Sequence, residues 1–184
     1  AAIGGTLLIG NNNMTILKSN FSYSVALRLG GAIGGHHASN ATIDGCIFNS
    51  TVAAGFVDSS LAYYGEGGAI YWHDADNVTI TNSKFLDIEA HSNGGAISFI
   101  DVNNSEISNS TFAGEVTLKY GGSISWVNST NITIDSINFT AAAASYGGGA
   151  ICLFNVDNAT VMNSNFNNTS SPWGNGGGML INGN

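Results

Sequence analysis

Hydrophobic positions alternate with small or polar ones in short runs, and the runs recur along the chain. Residues 94–120, GGAISFIDVNNSEISNSTFAGEVTLKY, serve as the type unit. The unit opens on a glycine pair followed by Ala96-Ile97-Ser98-Phe99, and equivalent runs begin at Gly67, Gly121 and Gly148. Alternation places Ile97 and Phe99 on one face and Ala96 and Ser98 on the other, which is the period of a β-strand. A polar turn at Asp101 to Asn103 leads to Asn104 and a second short strand, Ser105-Glu106-Ile107. That strand is matched by Val78-Thr79-Ile80 and Ile132-Thr133-Ile134. No stretch carries an amphipathic helical period with caps.

Two columns define the repeat. One is Asn13, Asn40, Asn77, Asn104, Asn131 and Asn158. The other is Phe21, Phe48, Phe85, Phe112, Phe139 and Phe166. The two columns share every step, and only the second step is longer than the rest. Strands this short cannot bury a face unit by unit, so each unit must cover the next. The pattern predicts an all-β fold, a right-handed parallel β-helix of about six coils of about 27 residues. A rise of roughly 4.8 Å per coil gives a rod of roughly 30 Å. Asn tolerates the left-handed backbone of a sharp turn. Stacked in register, the six amides are expected to form an internal ladder, pointing inward or into the turn. Ile16, Ile43, Ile80, Ile107, Ile134 and Val161 form a matching apolar stack, and the Phe column fills the wider part of the core.

The longer step carries its extra length within 53–66. It brings Phe56, Leu61, Tyr63 and Tyr64 together as a candidate partner-binding loop, weighed against the same side chains folding back over the flank. The last repeat is also longer and carries Pro172 and Trp173.

Composition narrows the function. Only Lys18, Arg28, Lys84 and Lys119 are basic, against twelve acidic residues, for a formal charge of −8 over 184 residues. No positive groove can form, which argues against nucleic acid and against an anionic membrane surface. No run of apolar residues is long enough to span a bilayer as a helix, and no cofactor is called for. The whole of 1–184 reads as one β-helix domain. Its first and last segments, GGTLLIG and GGGMLINGN, resemble each other and carry no helical cap. The expected partners are therefore neighbouring coils of a longer protein or copies pairing end to end. Cys46 and Cys152 fall at different repeat positions several coils apart. At the coil spacing that is roughly 15–20 Å, too far for a disulfide, so two free thiols are expected.

Asp74 and Asp101 occupy one position of consecutive repeats, followed there by Asn128 and Asn155, and His73 is adjacent. Two such carboxylates are the best catalytic or calcium constellation in the chain, against the alternative of a solvated turn. No Lys or Arg aligns with them. His36 and His37 point to opposite faces in an extended strand, so with His73 they do not supply the convergent ligands a metal needs.

Thirteen Asn-x-Ser/Thr triplets occur. Five start at ladder residues, Asn13, Asn40, Asn77, Asn131 and Asn158, where an inward amide leaves no room for a glycan. The other eight are candidate glycosylation sites: Asn20, Asn49, Asn103, Asn109, Asn128, Asn138, Asn167 and Asn168. Asn109 reads as an ordinary surface position whose loss costs within about 0.5 kcal/mol. Losing Asn104 is expected to cost about 1–3 kcal/mol.

The glycine pair with Ala-Ile is clearest at Gly67–Ile70 and Gly94–Ile97. The second element is Ser83-Lys84-Phe85, Ser110-Thr111-Phe112 and Ser164-Asn165-Phe166. Together they resemble the repeats of the adhesin-like surface proteins of methanogenic archaea. They also resemble the GGAI and FxxN repeats of chlamydial polymorphic outer-membrane proteins. Asn168 and Ser24 stand where FxxN has its Asn, but Ile88 and Glu115 do as well, so that half is degenerate here. Asn-rich turns and Ser/Thr-rich loops lean toward the archaeal group. The resemblance spans essentially the whole chain. It implies an extracellular, cell-surface role in adhesion or as a stalk, with a host-cell or microbial surface protein or glycan as partner, and carries over no catalytic residue. The alternative is a polysaccharide-processing enzyme or carbohydrate-binding module on the same fold.

Overall fold

The structure is a computed structural model and describes residues 5–55 and 65–183. It is an all-β parallel solenoid of six coils. Every strand pairing is parallel and joins one coil to the next. Among the described residues the strands lie in three sheets of eleven, six and five strands. In the type coil these are Ile97–Asn103 and Ser105–Ser108 in the largest sheet, then Thr111–Ala113, then Val116–Thr117. Register follows the repeat: Ile97 faces Ile70 below and Ile124 above, and Phe112 lies between Phe85 and Phe139.

Corners of the coil are made by residues with left-handed φ. In one coil they are Gly67, Asp74, Asn77, Asn82 and Asp87, and Gly94 opens the next. The same spacing recurs at Gly94, Asp101, Asn104, Asn109 and Gly114, and again at Gly121, Asn128, Asn131, Ser136 and Ala141. Asn, Asp and Gly supply most of the five corners in these coils, because they enter the left-handed region at least cost, and Ser136 and Ala141 supply the other two. Less obvious residues hold the same corners elsewhere, among them Lys18, Tyr23 and His37.

The glycine pair has two distinct reasons. Gly94 has φ 62°, a corner that disfavours a side chain. Gly95 has an ordinary φ, but a Cβ there would overlap the Gly122 carbonyl of the next coil. The second glycine therefore sets how closely coils stack.

Serine has a matching role after a corner. Ser110 follows the left-handed Asn109, donates its hydroxyl to the Ser108 carbonyl at 2.7 Å and accepts the Ser83 N–H of the coil below at 3.0 Å. Ser83, Ser105, Ser129 and Ser164 make the same pair of bonds. A buried N–H that turns away from the sheet ladder would otherwise go unpaired. Much of the Asn-Ser content, and with it some of the sequon density, is thus required by the corners.

The core is a file of stacked side chains. Phe21, Phe48, Phe85, Phe112, Phe139 and Phe166 lie with successive ring centroids 4.5–5.3 Å apart and rings near parallel. Trp72 and Trp126 are fully buried, each donating its indole N–H to a carbonyl, Ala38 at 2.9 Å and Val102 at 3.0 Å. Both cysteines are buried and free.

The extra length of the second step leaves the register intact. Val52 and Ala53 still pair with Glu89 and Ala90, and the Gly65 carbonyl accepts the Ser92 N–H at 2.8 Å. Phe56, Leu61, Tyr63 and Tyr64 lie outside the described residues. At the last coil the pairing offset grows by a single position, so that Ile151 faces Met179, and Pro172 begins the turn that takes up the extra residue.

Candidate functional site

The Asn column forms a ladder, but on the outside. Asn40 donates to Asn13 at 3.2 Å, Asn77 to Asn40 at 3.0 Å, Asn131 to Asn104 at 2.9 Å and Asn158 to Asn131 at 2.6 Å. One rung is displaced: Asn104 reaches Asp76 at 3.4 Å instead. All six residues are exposed and stand at left-handed corners, which corrects the inward placement expected from sequence and leaves the alternative, placement at the turn. A left-handed corner turns the chain around the core, so its side chain projects outward. The steric argument against glycans at these five sequons therefore falls. What remains is that Asn40, Asn77, Asn131 and Asn158 use their Nδ2, the atom that would carry a sugar, as ladder donors.

Asn109 also departs from its expected place as an ordinary surface position: it is exposed, but its φ is 48°, so it is a corner. None of the other seven candidate sequon residues is buried: Asn20, Asn128, Asn138, Asn167 and Asn168 are exposed, and Asn49 and Asn103 are half-buried. A second ladder runs from Asn155 to Asn128 at 2.9 Å, and a third from Asn165 to Asn138 at 3.1 Å.

Asp74 and Asp101 share a corner column with His37, Asn128 and Asn155. Each faces an imidazole from the coil below. His37 Nδ1 lies 2.7 Å from Asp74, and His73 Nε2 lies 3.4 Å from Asp101. The three His rings cluster, 3.9 Å from His36 to His37 and 5.0 Å from His36 to His73. His36 and His37 are not on opposite faces as an extended strand would place them, because φ of 52° at His37 turns its ring edge-on to His36. Burial, followed by the neighbouring His37 and His73, lowers the His36 pKa. Among the described residues no group of three His, Cys, Asp or Glu is arranged to hold a metal ion.

Two enclosed carboxyls carry no signal in the sequence: Glu115 is buried and Glu66 half-buried. Glu66 accepts from Asn93 at 2.8 Å and from Ser98 at 3.4 Å, and burial still raises its pKa. Burial first and Glu66 second raise the Tyr71 hydroxyl. Glu115 accepts the Ala113 N–H at 2.6 Å and the Ser123 hydroxyl at 3.0 Å, and burial pushes it up to about 8. Burial alone pushes the Cys152 thiol up to about 12.

Glu66, Asn93 and Tyr120 occupy equivalent places at the edge of the largest sheet, beside the outward column Tyr71, Ser98, Ser125 and Cys152, which is buried. A cavity of about 390 Å³ lies here, lined by Asn93, Lys119, Tyr120, Ser125 and Phe154 among others. Asn93 Oδ1 and Ser125 Oγ are buried there without a hydrogen-bond partner. Lys119 also lines a second cleft of about 300 Å³, with His91, Leu118, Ser145, Tyr146 and Trp173. The two hollows share one flank of the rod, where aromatic and polar side chains converge.

Comparison with known proteins adds no family. Neither a protein-family model nor a curated protein matches the chain.

Proposed function

We propose that the chain is an extracellular scaffold, a segment of a cell-surface adhesin or stalk that holds binding features on a stiff rod. The observation supporting this is the separation of two kinds of residue. Corners, glycine contacts and the Phe file repeat from coil to coil, while surface positions differ from level to level, as Ile47, Lys84, Thr111 and Asn138 do in one column. Such a scaffold presents different surface chemistry at each level on one repeated backbone. In this reading the exposed sequons at Asn20, Asn109, Asn128, Asn138, Asn167 and Asn168 are the glycan acceptors. The coil face lined by Leu153, Val161, Phe166 and Met179 fits another coil of the same kind, from a continuing chain or a second copy. Antibody raised against the chain should label intact cells of the source organism. Label that appears only after permeabilisation contradicts the proposal.

A second reading, carbohydrate processing, has one observation in its favour. Asp74 and Asp101 sit one coil apart, each against an imidazole. Turnover of any glycan that is lost in Asp101→Asn would support it.

A further inference from the structure

The cleft between Leu118 and Trp173 is built from two adjoining columns. His91, Leu118 and Ser145 form one, and Lys119, Tyr146 and Trp173 form the other, each member one repeat above the last. Main-chain bonds fix the rungs: Lys119 N–H to Ser92 at 3.1 Å, Tyr146 N–H to Lys119 at 2.9 Å and Trp173 N–H to Ser145 at 3.1 Å. Large apolar side chains stand exposed along it, Leu118 at 44%, Tyr146 at 53% and Trp173 at 77%.

Trp173 is held out by its local backbone. Ser171-Pro172-Trp173-Gly174 is a tight turn closed by Gly174 N–H to Ser171 at 3.5 Å. Proline presets the turn, and its second corner carries the indole. Gly174 lies on the Tyr146 main chain so closely that a Cβ would overlap it. The extra residue of the last coil is spent on this turn. An exposed aromatic on a constrained turn is pre-organised for a partner and loses little entropy on binding.

The lining is of two kinds. Aromatic and aliphatic faces offer flat apolar contact, while Ser145 and Lys119 offer hydrogen-bonding groups at the rim, and His91 Nε2 there is paired with Glu89 at 3.1 Å. Lys119 is one of four cationic residues in a chain of charge −8, and it borders both hollows of this flank. We infer that the cleft binds an oligosaccharide whose pyranose faces lie on Trp173 and Tyr146 and whose carboxylate, on an acid sugar, lies at Lys119. The stack uses the apolar C–H face of the ring against an aromatic surface, and the rim meets its hydroxyls. The charge of one cation suits a single acid sugar. A dense polyanion is repelled by the remaining surface. This assignment rests on the adhesin-scaffold reading and names its partner.

The three tryptophans supply the assay. Trp72 and Trp126 are fully buried, so a ligand-induced change in indole fluorescence reports Trp173. The intact chain is titrated with neutral β-linked hexose oligomers, with the same oligomers ending in glucuronate, and with a proline-rich peptide. Saturable quenching by the glucuronate oligomers is expected, with about tenfold weaker binding by the neutral ones. Tyr146→Ala should weaken binding about tenfold or more, with the emission of Trp72 and Trp126 unchanged. Trp173→Ala should abolish binding measured by calorimetry, and Lys119→Gln should erase the preference for the acid sugar. Binding that survives Trp173→Ala, equal affinity for neutral and acid oligomers, or saturation by the peptide alone would overturn the assignment. If Trp173→Ala leaves cell adhesion by the displayed chain intact, the scaffold reading stands and this site falls. Absence of adhesion by a chain that binds the oligomers removes the scaffold reading instead.

Discussion

At the residue scale, the left-handed corners explain more of the sequence than the Asn column alone. That column is legible because one residue type fills it. The corner column of Lys18, Gly45, Asn82, Asn109, Ser136 and Asn163 is not, since four residue types share one backbone conformation. Asn131 separates the two roles of a corner Asn, because it donates to Asn104 and accepts from Asn158. Asn131→Ala should cost about 1–2 kcal/mol in chemical denaturation, and Asn131→Gly about half of that or less, since glycine keeps the φ. Asn109→Ala should cost about 1 kcal/mol, more than a plain surface position. Buried Glu115 and half-buried Glu66 were hidden for another reason: a Glu in a polar loop reads as solvated, and only the fold encloses it. Glu115 has a folded pKa of about 8 against an ordinary 4.5, so the fold favours its neutral form. Its contribution is fully present below the ordinary value and is lost as pH rises through about 8. The denaturation midpoint should therefore fall between about pH 5 and about pH 9, and Glu115→Gln should flatten that slope.

At the element scale, the strands are short because corners interrupt the chain several times in each coil, and pairing between coils holds them. Sequence showed the two strands with strong apolar alternation. The two-residue strand Val116–Thr117 carries no such pattern and emerges only from stacking on Glu89–Ala90 and Ala143–Ala144. Alternation also could not reveal that the outward column Tyr71, Ser98, Ser125 and Cys152 is buried. That burial depends on neighbours contributed by the coil edge. The second glycine of each pair offers a sharp test. Gly95→Ala forces a Cβ into the Gly122 carbonyl, whereas a Cβ on Gly10 meets nothing. Gly95→Ala should lower the melting temperature markedly, and Gly10→Ala should leave it nearly unchanged. In the Phe file, Phe112→Ala removes a ring stacked on both sides and should cost about 3–5 kcal/mol by denaturant titration.

At the scale of the whole molecule, the step shared by the Asn and Phe columns makes the coil count and the parallel pairing readable from sequence. The flank with the two hollows is not readable, because its residues belong to several coils and converge only through register. One coil is a replaceable unit whose length is set by its corners. The most direct measurement is excision of 94–120, which joins Asn93 to Gly121 and should let the coil of Gly67 meet that of Gly121 in register. Circular dichroism and denaturant titration of this chain are compared with those of a chain lacking only 97–120, in which Ala96 runs directly into Gly121 and the corners fall out of step. Excision of the whole coil should retain β-structure and a single cooperative transition, while the shorter excision should lose both. Equal behaviour of the two deletions would contradict this.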